Sequence, residues 1–289
     1  MKTDYDLIVI GSGPAGKRAA IQASKIGKSV LLVEKNQIVG GVSVHTGTLP
    51  SKTLRETVLF LSGWRQREIY GRSYKVKENI TAADLKQRLT STLTHEIEVI
   101  QHQLSRNNVD IAYGHARFTG EHSISVEDHE GALHPFTATN FVICVGTKTR
   151  RPENVPFDGE AIIDSDEILH LKRIPRKLLV VGGGVIGLEY ATIFKALDVE
   201  VSVLETNDFV LGFVDKEIVQ ELIHHLRDCN IHLYLNDNLK NLEKRDDGKV
   251  ICQLRSGKSI AVDTVLFAAG RQGVTDDLAL DVIGLEADS

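Results

Sequence analysis

Residues 6–16 read DLIVIGSGPAG, and this stretch decides the fold of the first half of the chain. The apolar run 6–10 predicts a short buried strand, and the alanine-rich run 14–26 predicts a helix. Between them, three glycines stand in the Gly-x-Gly-x-x-Gly spacing: Gly11, Gly13 and Gly16. That spacing allows a tight turn, a close backbone approach to a pyrophosphate, and close packing of the helix on the strand.

A second predicted strand, 29–33, follows the helix and leads into Glu34. Both strands are continuous apolar runs, which is typical of a parallel sheet that is covered on both faces. The Glu34 carboxylate is placed to accept hydrogen bonds from ribose hydroxyls. Strand, glycine turn, helix, strand and acid together predict a Rossmann-type dinucleotide site, whereas the glycine spacing alone would be a weak signal.

The same pattern returns in residues 177–187, which read KLLVVGGGVIG. A predicted helix over 185–197 and a strand over 199–204 follow, and Glu205 takes the relative place of Glu34. Two complete fingerprints in one chain predict an α/β protein with two Rossmann-like dinucleotide-binding domains. Two adjacent dinucleotides supply a hydride donor and an acceptor, which favours an oxidoreductase.

The domain boundaries follow from the polar segment 147–160, which contains two prolines and predicts a surface connection. We expect a first domain over 1–150 and a second over 151–271, with 272–289 beginning a return to the first. Two further helices are expected, over 50–62 and over 81–106, because proline suits a first helical turn and the second segment has an amphipathic period.

Composition excludes several classes of function. The 289 residues are 42% hydrophobic and carry a net charge of −5, with no basic cluster of the kind that binds nucleic acid. No apolar run approaches the ~20 residues that span a bilayer, and the N-terminus does not resemble a signal peptide. The three cysteines match no metal-ligand spacing, so we expect no metal and a cytoplasmic location.

Residues 40–55, GGVSVHTGTLPSKTLR, resemble the signature of the pyridine nucleotide–disulfide oxidoreductases, the family of dihydrolipoamide dehydrogenase and glutathione reductase. In those enzymes two cysteines separated by four residues form a redox disulfide against the flavin. Ser43 and Thr48 occupy the two positions here, and neither can form a disulfide. The segments GTLPSKTLRE, GVIGLEYATIF and AAGRQGVTDDLALDVIGLEADS are similar to one branch of the family, the soluble, Si-specific pyridine nucleotide transhydrogenases.

That resemblance implies hydride transfer between NAD(H) and NADP(H) through bound FAD, without a dithiol. It implies FAD at the first glycine turn and a nicotinamide nucleotide at the second. It further implies that Lys52 lies near the flavin N5 and pairs with Glu189, both in catalytic roles, where the cation stabilises negative charge on the flavin. Arg271 is expected to reach back to FAD.

The cofactor-binding residues that the resemblance implies are Gly11, Gly13, Pro14, Ala15, Gly16, Glu34, Lys35, Gly40, Gly41, Val42, Ser43, Gly47, Thr48, Lys52, Ala116, Gly146, Thr147, Gly182, Gly184, Val185, Ile186, Gly187, Glu205, Gly270 and Arg271. His45 lies two residues after Ser43 and could face the flavin, although a lone histidine is more often structural. The family continues with a second FAD segment and an interface domain that this chain does not contain, so we expect a homo-oligomer for a full-length protein.

Glu205 bears on the choice of nucleotide, because a carboxylate there favours the NAD 2′-hydroxyl over the NADP 2′-phosphate, and 206–208 supply no base. Three interpretations stay open. They are a ping-pong FAD-dependent transhydrogenase, an NADH-dependent flavoprotein reductase with a quinone or dye acceptor, and a non-catalytic nucleotide-binding protein. Dihydrolipoamide dehydrogenase activity is the least expected, because the disulfide cannot form.

Overall fold

The computed structural model of the protein describes residues 3–71 and 73–288. Its α-helices are α1 (Pro14–Lys25), α2 (Val42–His45), α3 (Thr48–Leu61), α4 (Arg67–Tyr70), α5 (Ala82–Arg106), α6 (Val185–Ala196) and α7 (Lys216–Asp228). Short 3-10 helices lie at Trp64–Gln66, Glu167–His170, Asp276–Leu278 and Leu280–Ile283.

The strands, in chain order, are β1 (Tyr5–Ile10), β2 (Val30–Glu34), β3 (Asp110–Tyr113), β4 (His115–Gly120), β5 (Ser123–Glu127), β6 (Leu133–Ile143), β7 (Thr147–Thr149), β8 (Ile162–Asp164), β9 (Lys177–Val181), β10 (Glu200–Leu204), β11 (His232–Tyr234), β12 (Leu239–Lys244), β13 (Val250–Leu254), β14 (Ser259–Val262), β15 (Thr264–Phe267) and β16 (Arg271–Gly273).

The described residues divide into two compact units. The first contains the chain up to Leu49, Ser91–Lys148 and the residues from Gln272 onward, and the second contains Pro50–Thr90 and Thr149–Arg271. The structure therefore groups α3, α4 and the start of α5 with the second unit, whereas the sequence analysis placed them in a first domain over 1–150. We keep the predicted domains over 1–150, 151–271 and 272–289 as a proposal about which cofactor each part binds.

The first unit is built on a six-stranded sheet of order β3-β2-β1-β6-β5-β4. Strands β3, β2, β1 and β6 pair in parallel, and β6, β5 and β4 continue the sheet in antiparallel fashion. The register sets Ile8 against Leu31 and Phe141. Because β1 and β2 are continuous apolar runs, their side chains are buried on both faces of the sheet, as a covered parallel sheet requires.

The second unit is built on a parallel five-stranded sheet of order β11-β10-β9-β15-β8. A separate antiparallel sheet of order β12-β13-β14 contains a hairpin around Ser256 and Gly257. Apolar side chains of both sheets form one core cluster. The two parallel sheets, each with a helix after its first glycine turn, confirm the predicted α/β class.

The two helices predicted beyond the glycine turns are present, with their ends shifted by one or two residues. The predicted helix 50–62 is α3, and the predicted helix 81–106 is α5, which begins after Thr81. The start of α5 is capped, because Thr81 N donates to Asp84 Oδ2 (2.9 Å) and Asp84 N donates to Thr81 Oγ1 (3.3 Å). No helix within the described residues has the length and apolar character needed to cross a membrane.

Candidate functional site

The first glycine turn joins β1 to α1 and depends on the absence of two side chains. Gly11 has a φ of +104°, and a Cβ there would stand 2.3 Å from the Cys144 carbonyl oxygen at the end of β6. A Cβ on Gly16 would stand 1.8 Å from the Gly11 carbonyl oxygen. Because a side chain at either position would collide with backbone, these two glycines close the strand–turn–helix unit.

Gly13, the middle glycine of the turn, has open space beside it instead. A Cβ on Gly13 would meet no atom within 4 Å. Gly13 is also the N-cap of α1, no side chain caps that end, and the first turn of α1 carries no acidic residue. An uncapped helix N-terminus with open space in front of it fits a pyrophosphate, since free N–H groups and the helix dipole attract an anion.

The Glu34 carboxylate at the end of β2 is buried and accepts four hydrogen bonds. One oxygen, Oε2, accepts from Ser12 N (3.1 Å) and from the Ser12 hydroxyl, and Oε1 accepts from Asn36 N (2.9 Å) and Asn36 Nδ2 (3.1 Å). Ser12 Oγ in turn accepts from Gly40 N at 2.8 Å. Ser12 therefore links the acid at the strand end to the segment that resembles the family signature.

That signature segment packs against the first turn. Gly41 has a φ of +61°, and a Cβ there would stand 2.7 Å from Gly13 Cα. The short helix α2 follows, and Ser43 Oγ donates to the Gly40 carbonyl oxygen at 3.3 Å. The His45 ring nitrogen Nε2 lies 3.1 Å from the Val39 carbonyl oxygen, so a backbone contact fixes the ring.

The second glycine turn joins β9 to α6 and repeats the first in its geometry. Gly182 has a φ of +113°, and a Cβ there would stand 2.5 Å from the Ala268 carbonyl oxygen at the end of β15. A Cβ on Gly187 would stand 2.0 Å from the Gly182 carbonyl oxygen. Gly184, the N-cap of α6, has no atom within 4 Å of such a Cβ, and no side chain caps this helix either. The second turn therefore offers the same fit to a pyrophosphate.

The Glu205 carboxylate follows β10 and also accepts four hydrogen bonds. Oε2 accepts from Gly183 N (2.7 Å), and Oε1 accepts from Thr206 Oγ1 (3.0 Å), Asn207 N (2.9 Å) and Asn207 Nδ2 (2.8 Å). Partial burial acts to raise the pKa of Glu205, but the hydrogen bonds, those from the Asn207 and Gly183 backbone first, outweigh it and hold the pKa below its ordinary value. Glu205 is thus held as an anion.

The predicted pairing of Lys52 with Glu189 stays a prediction. Within residues 3–71 and 73–288, no ion pair or hydrogen bond joins the two side chains. Instead, Ser51 Oγ donates to Glu189 Oε1 at 2.9 Å, and Lys52 is exposed. Successive residues of a helix point about 100° apart, so on α3 only one of two neighbours can face α6.

The remaining predicted residues lie at strand ends and in the turns. Gly146 and Gly270 have positive φ angles of 69° and 107°, with open space where a Cβ would stand. Ala116 lies on β4 with its side chain in the core of the first unit. Arg271 begins β16, and its Nη1 lies 3.0 Å from Asp166 Oδ1 within the second unit. The other predicted residues, placed in or beside the two turns and at β7, are Pro14, Ala15, Lys35, Val42, Gly47, Thr48, Thr147, Val185 and Ile186.

The sequence analysis missed four residues that organise these sites. Ser12 was not singled out because the glycines on either side of it carry the motif. Ser51 was not singled out because the resemblance points to its neighbour Lys52. Asn36 and Asn207 each follow a strand-end glutamate by two residues, a signal that the sequence does contain because asparagine commonly bonds backbone and side chains nearby. No group of three or more potential metal ligands lies together in the described parts of the chain.

A family model for pyridine nucleotide-disulphide oxidoreductases matches residues 5–289. The chain therefore belongs to the pyridine nucleotide–disulfide oxidoreductase family, which confirms the resemblance predicted from residues 40–55. A soluble pyridine nucleotide transhydrogenase of Mycobacterium bovis is 48% identical over 285 residues, 98% of this chain and 60% of that protein. Another, from Salmonella paratyphi B, is 39% identical over 286 residues, 99% of this chain and 61% of that protein.

Solved structures agree on the fold. The HOCl-induced flavoprotein disulfide reductase RclA from Escherichia coli matches with a TM-score of 0.83 and 27% identity, over 98% of this chain and 60% of that one. LpdA from Mycobacterium tuberculosis matches with a TM-score of 0.89 over 98% of this chain and 62% of that one, and at 23% identity this likeness concerns the fold alone. The chain spans about 60% of the length of the relatives it matches.

Proposed function

We propose that the protein holds FAD at the first glycine turn and a nicotinamide nucleotide at the second, as an FAD-dependent oxidoreductase. The observation that carries this proposal is the duplication of one site geometry within a chain of this family. Each turn combines two glycines that exclude side chains, one glycine facing open space, an uncapped helix N-terminus and an anchored carboxylate. FAD, when bound, supplies a centre that accepts a hydride and passes it on.

The residues of this chain bind and orient the two dinucleotides in that proposal. The N-termini of α1 and α6 receive the pyrophosphates, and Glu34 and Glu205 accept from the adenosine ribose hydroxyls. Gly40, Gly41, Ser43 and the other predicted FAD-binding residues surround the flavin nucleotide. Lys52 and Glu189 stay the proposed catalytic pair, with their charges near the reacting rings.

We further propose hydride transfer between NAD(H) and NADP(H) by a ping-pong route, as the names of the similar transhydrogenases suggest. No redox disulfide takes part in this proposal. Ser43 and Thr48 stand where the family pattern has cysteines, and burial raises the pKa of the Cys252 thiol to about 12, which opposes its reactivity. A cytoplasmic location and a homo-oligomeric full-length protein belong to the same proposal.

A second function is favoured by Glu205. Its anchored carboxylate repels a 2′-phosphate, and residues 206–208 supply no base to offset it. An NADH-dependent flavoprotein reductase with a quinone or dye acceptor fits that site better than a transhydrogenase does.

The test uses purified protein, from a longer reading frame where one exists. The flavin spectrum is recorded, and hydride transfer from NADPH to the thionicotinamide analogue of NAD⁺ is followed. Bound FAD with transfer supports the transhydrogenase. If FAD is bound and the protein oxidises NADH but not NADPH, the assignment moves to the NADH-dependent reductase. A protein that binds neither flavin nor nucleotide overturns both functions.

A further inference from the structure

An open cavity of about 250 Å³ lies within the second unit, among α3, α6 and α7. The residues that line it fall in three segments, 55–65, 192–196 and 225–231. The second glycine turn lies at the other end of α6, where Val185 begins the helix. At 1.5 Å per residue, about 10 Å of helix separates Val185 from Thr192, so the cavity is distinct from the nucleotide site proposed at that turn.

Among the described residues, the charged side chains that line this cavity are all basic. They are Arg55, Arg65 and Lys195, and His225 lines the cavity with them. The Glu56 carboxylate accepts from Arg55 Nη1 at 3.0 Å and from Arg65 Nη2 at 3.1 Å, so the two arginines share one negative charge. A cleft whose charges have one sign concentrates ions of the opposite sign, which predicts an anionic ligand.

Lys195 has no counter-charge of its own within residues 3–71 and 73–288, since no ion pair or hydrogen bond links its ammonium group to a carboxylate there. It is half-buried in the last turn of α6. Asp198, three residues further on, already pairs with Arg67 at 2.8 Å and with Lys75 at 2.8 Å. Because a partly buried charge is costly unless it is paired, an anion in the cavity would stabilise Lys195.

Other walls of the cavity are apolar. Val58, Ile193 and Leu226 line it, and each is no more than 2% exposed. Trp64 lines it as well, and the Arg67 guanidinium lies over the Trp64 ring, 5.4 Å from its centroid. Since an apolar cavity of ~150 Å³ can hold benzene, this larger one has room for an aromatic ring that carries a carboxylate.

We propose that this cavity binds a small aromatic carboxylate, with the ring against the apolar walls and the carboxylate facing Lys195, Arg55 and Arg65. The planar fork of an arginine suits a carboxylate, because it can donate two parallel hydrogen bonds. This site goes beyond the proposed function, since it uses neither glycine turn and does not depend on nucleotide binding.

The experiment titrates the purified protein with benzoate and follows the fluorescence of Trp64, the single tryptophan of the chain. We expect a saturable change with a dissociation constant of about 1 mM or tighter. Benzamide has nearly the same shape without the charge, and should bind at least about tenfold more weakly. Inorganic phosphate carries charge without an apolar body, and should change the Trp64 fluorescence little.

Three variants test the role of the charge at Lys195. Lys195→Gln is expected to weaken benzoate binding about fivefold to tenfold, because the cavity loses a positive charge. Lys195→Arg keeps that charge and should bind benzoate nearly as wild type does. Lys177→Gln is the matched control, since it removes the same charge from the same unit at a lysine outside the cavity, where Nζ lies 3.0 Å from Glu200 Oε1. That control should leave the dissociation constant unchanged.

The proposal is overturned if Trp64 does not respond to benzoate, if benzamide or phosphate binds as tightly as benzoate, or if Lys195→Gln binds benzoate like wild type. Displacement of benzoate by NAD⁺ would place the carboxylate at a glycine turn and would overturn it as well. A protein that binds benzoate but neither flavin nor nucleotide would contradict the proposed function and leave this inference standing.

Discussion

The two glycine turns share their three-glycine spacing, and one of the positions at which they differ is the second. At the second position of the first turn stands Ser12, whose hydroxyl joins Glu34 to the Gly40 backbone. The second turn has Gly183 there, and Val210 fills the space, with a methyl 2.8 Å from where a Cβ would stand. The first turn is thus tied to the following segment through a side chain, whereas in the second unit the tie is a backbone hydrogen bond from Leu211 N to the Gly183 carbonyl oxygen at 3.0 Å.

The two carboxylates also differ in how deeply they are buried. Glu34 is 4% exposed, whereas Glu205 is only partly buried. A site with a buried carboxylate suits a cofactor that stays bound. A site with a more exposed carboxylate suits a nucleotide that enters and leaves. The difference between the turns therefore matches the two roles that we propose for them, FAD as resident and NAD(P) as substrate.

The largest effect is expected from adding a methyl group to the third glycine of either turn. In Gly16→Ala and Gly187→Ala the new Cβ would stand 1.8 Å and 2.0 Å from a backbone carbonyl oxygen, which a rigid turn cannot move away. We expect each variant to lose about 3 kcal/mol of unfolding free energy. Denaturant unfolding measures the loss, and flavin content shows whether only Gly16→Ala releases FAD.

The middle glycines provide the matched control for that experiment. Gly13→Ala and Gly184→Ala add the same methyl group where no atom lies within 4 Å, so stability should change little while ligand binding weakens. A Gly16→Ala protein that unfolds like wild type and keeps its flavin would show that the first turn is not packed as described.

The next effect concerns the second position of the turns, which is Ser12 in one and Gly183 in the other. Ser12→Ala leaves the buried Gly40 N–H without its acceptor and removes one donor from Glu34, so we expect a loss of about 1–3 kcal/mol. Gly183→Ser should not transfer the arrangement to the second turn, because its Cβ would meet Val210 at 2.8 Å. Thermal unfolding with each nucleotide present measures both changes.

Ser43→Ala is the control for Ser12, because within the described residues the Ser43 hydroxyl makes a single, long hydrogen bond, 3.3 Å to the Gly40 carbonyl oxygen. Its unfolding free energy should stay close to that of wild type. If Gly183→Ser is as stable as wild type and binds NADH equally well, the two turns are interchangeable at this position and our comparison fails.

A smaller effect should appear in the pH dependence of stability. The pKa of Glu205 is lower in the folded chain than its ordinary value, so its contribution is present above the unfolded pKa of about 4.3. That contribution disappears as the pH falls through the folded pKa. We expect Glu205→Gln to be less stable than wild type at pH 7, by about 1 kcal/mol because the site is partly exposed to solvent.

The measurement is the denaturant midpoint of both proteins from pH 7 to pH 3. The gap between wild type and Glu205→Gln should narrow below about pH 5 and nearly close at the acid end. A constant gap across the range would mean that the charge of Glu205 does not stabilise the fold. The same variant should discriminate less between NADH and NADPH, since the repelling carboxylate is gone.

The sequence predicts the strand, turn, helix and acid of both units because each part has its own local signal. Apolar runs mark β1 and β9, and the glycine spacing marks the turns. The helix α5 was also predictable, from its amphipathic period and the Thr81 cap. In each case nearby residues alone determine the structure.

What the sequence did not predict depends on contacts between distant segments. The Ser51–Glu189 hydrogen bond joins α3 to α6, and the family pattern directed attention to Lys52 instead. Membership of residues 50–90 in the second unit likewise depends on packing that no local period reveals. Neither the spacing of residues nor their type tells which of two neighbours on a helix will face another helix.

The smallest effect is expected at two asparagines, one in each unit, that follow the strand-end glutamates by two residues. Asn36 Nδ2 and Asn207 Nδ2 each donate to the nearby carboxylate, at 3.1 Å and 2.8 Å. Each carboxylate keeps three other donors, so Asn36→Ala and Asn207→Ala should cost about 0.5–1 kcal/mol of unfolding free energy. Because Glu205 is the more exposed of the two, Asn207→Ala should cost less stability but change NADH affinity more, which calorimetry can measure. Equal effects of the two variants on stability and on NADH binding would contradict the distinction between a closed first site and an open second one.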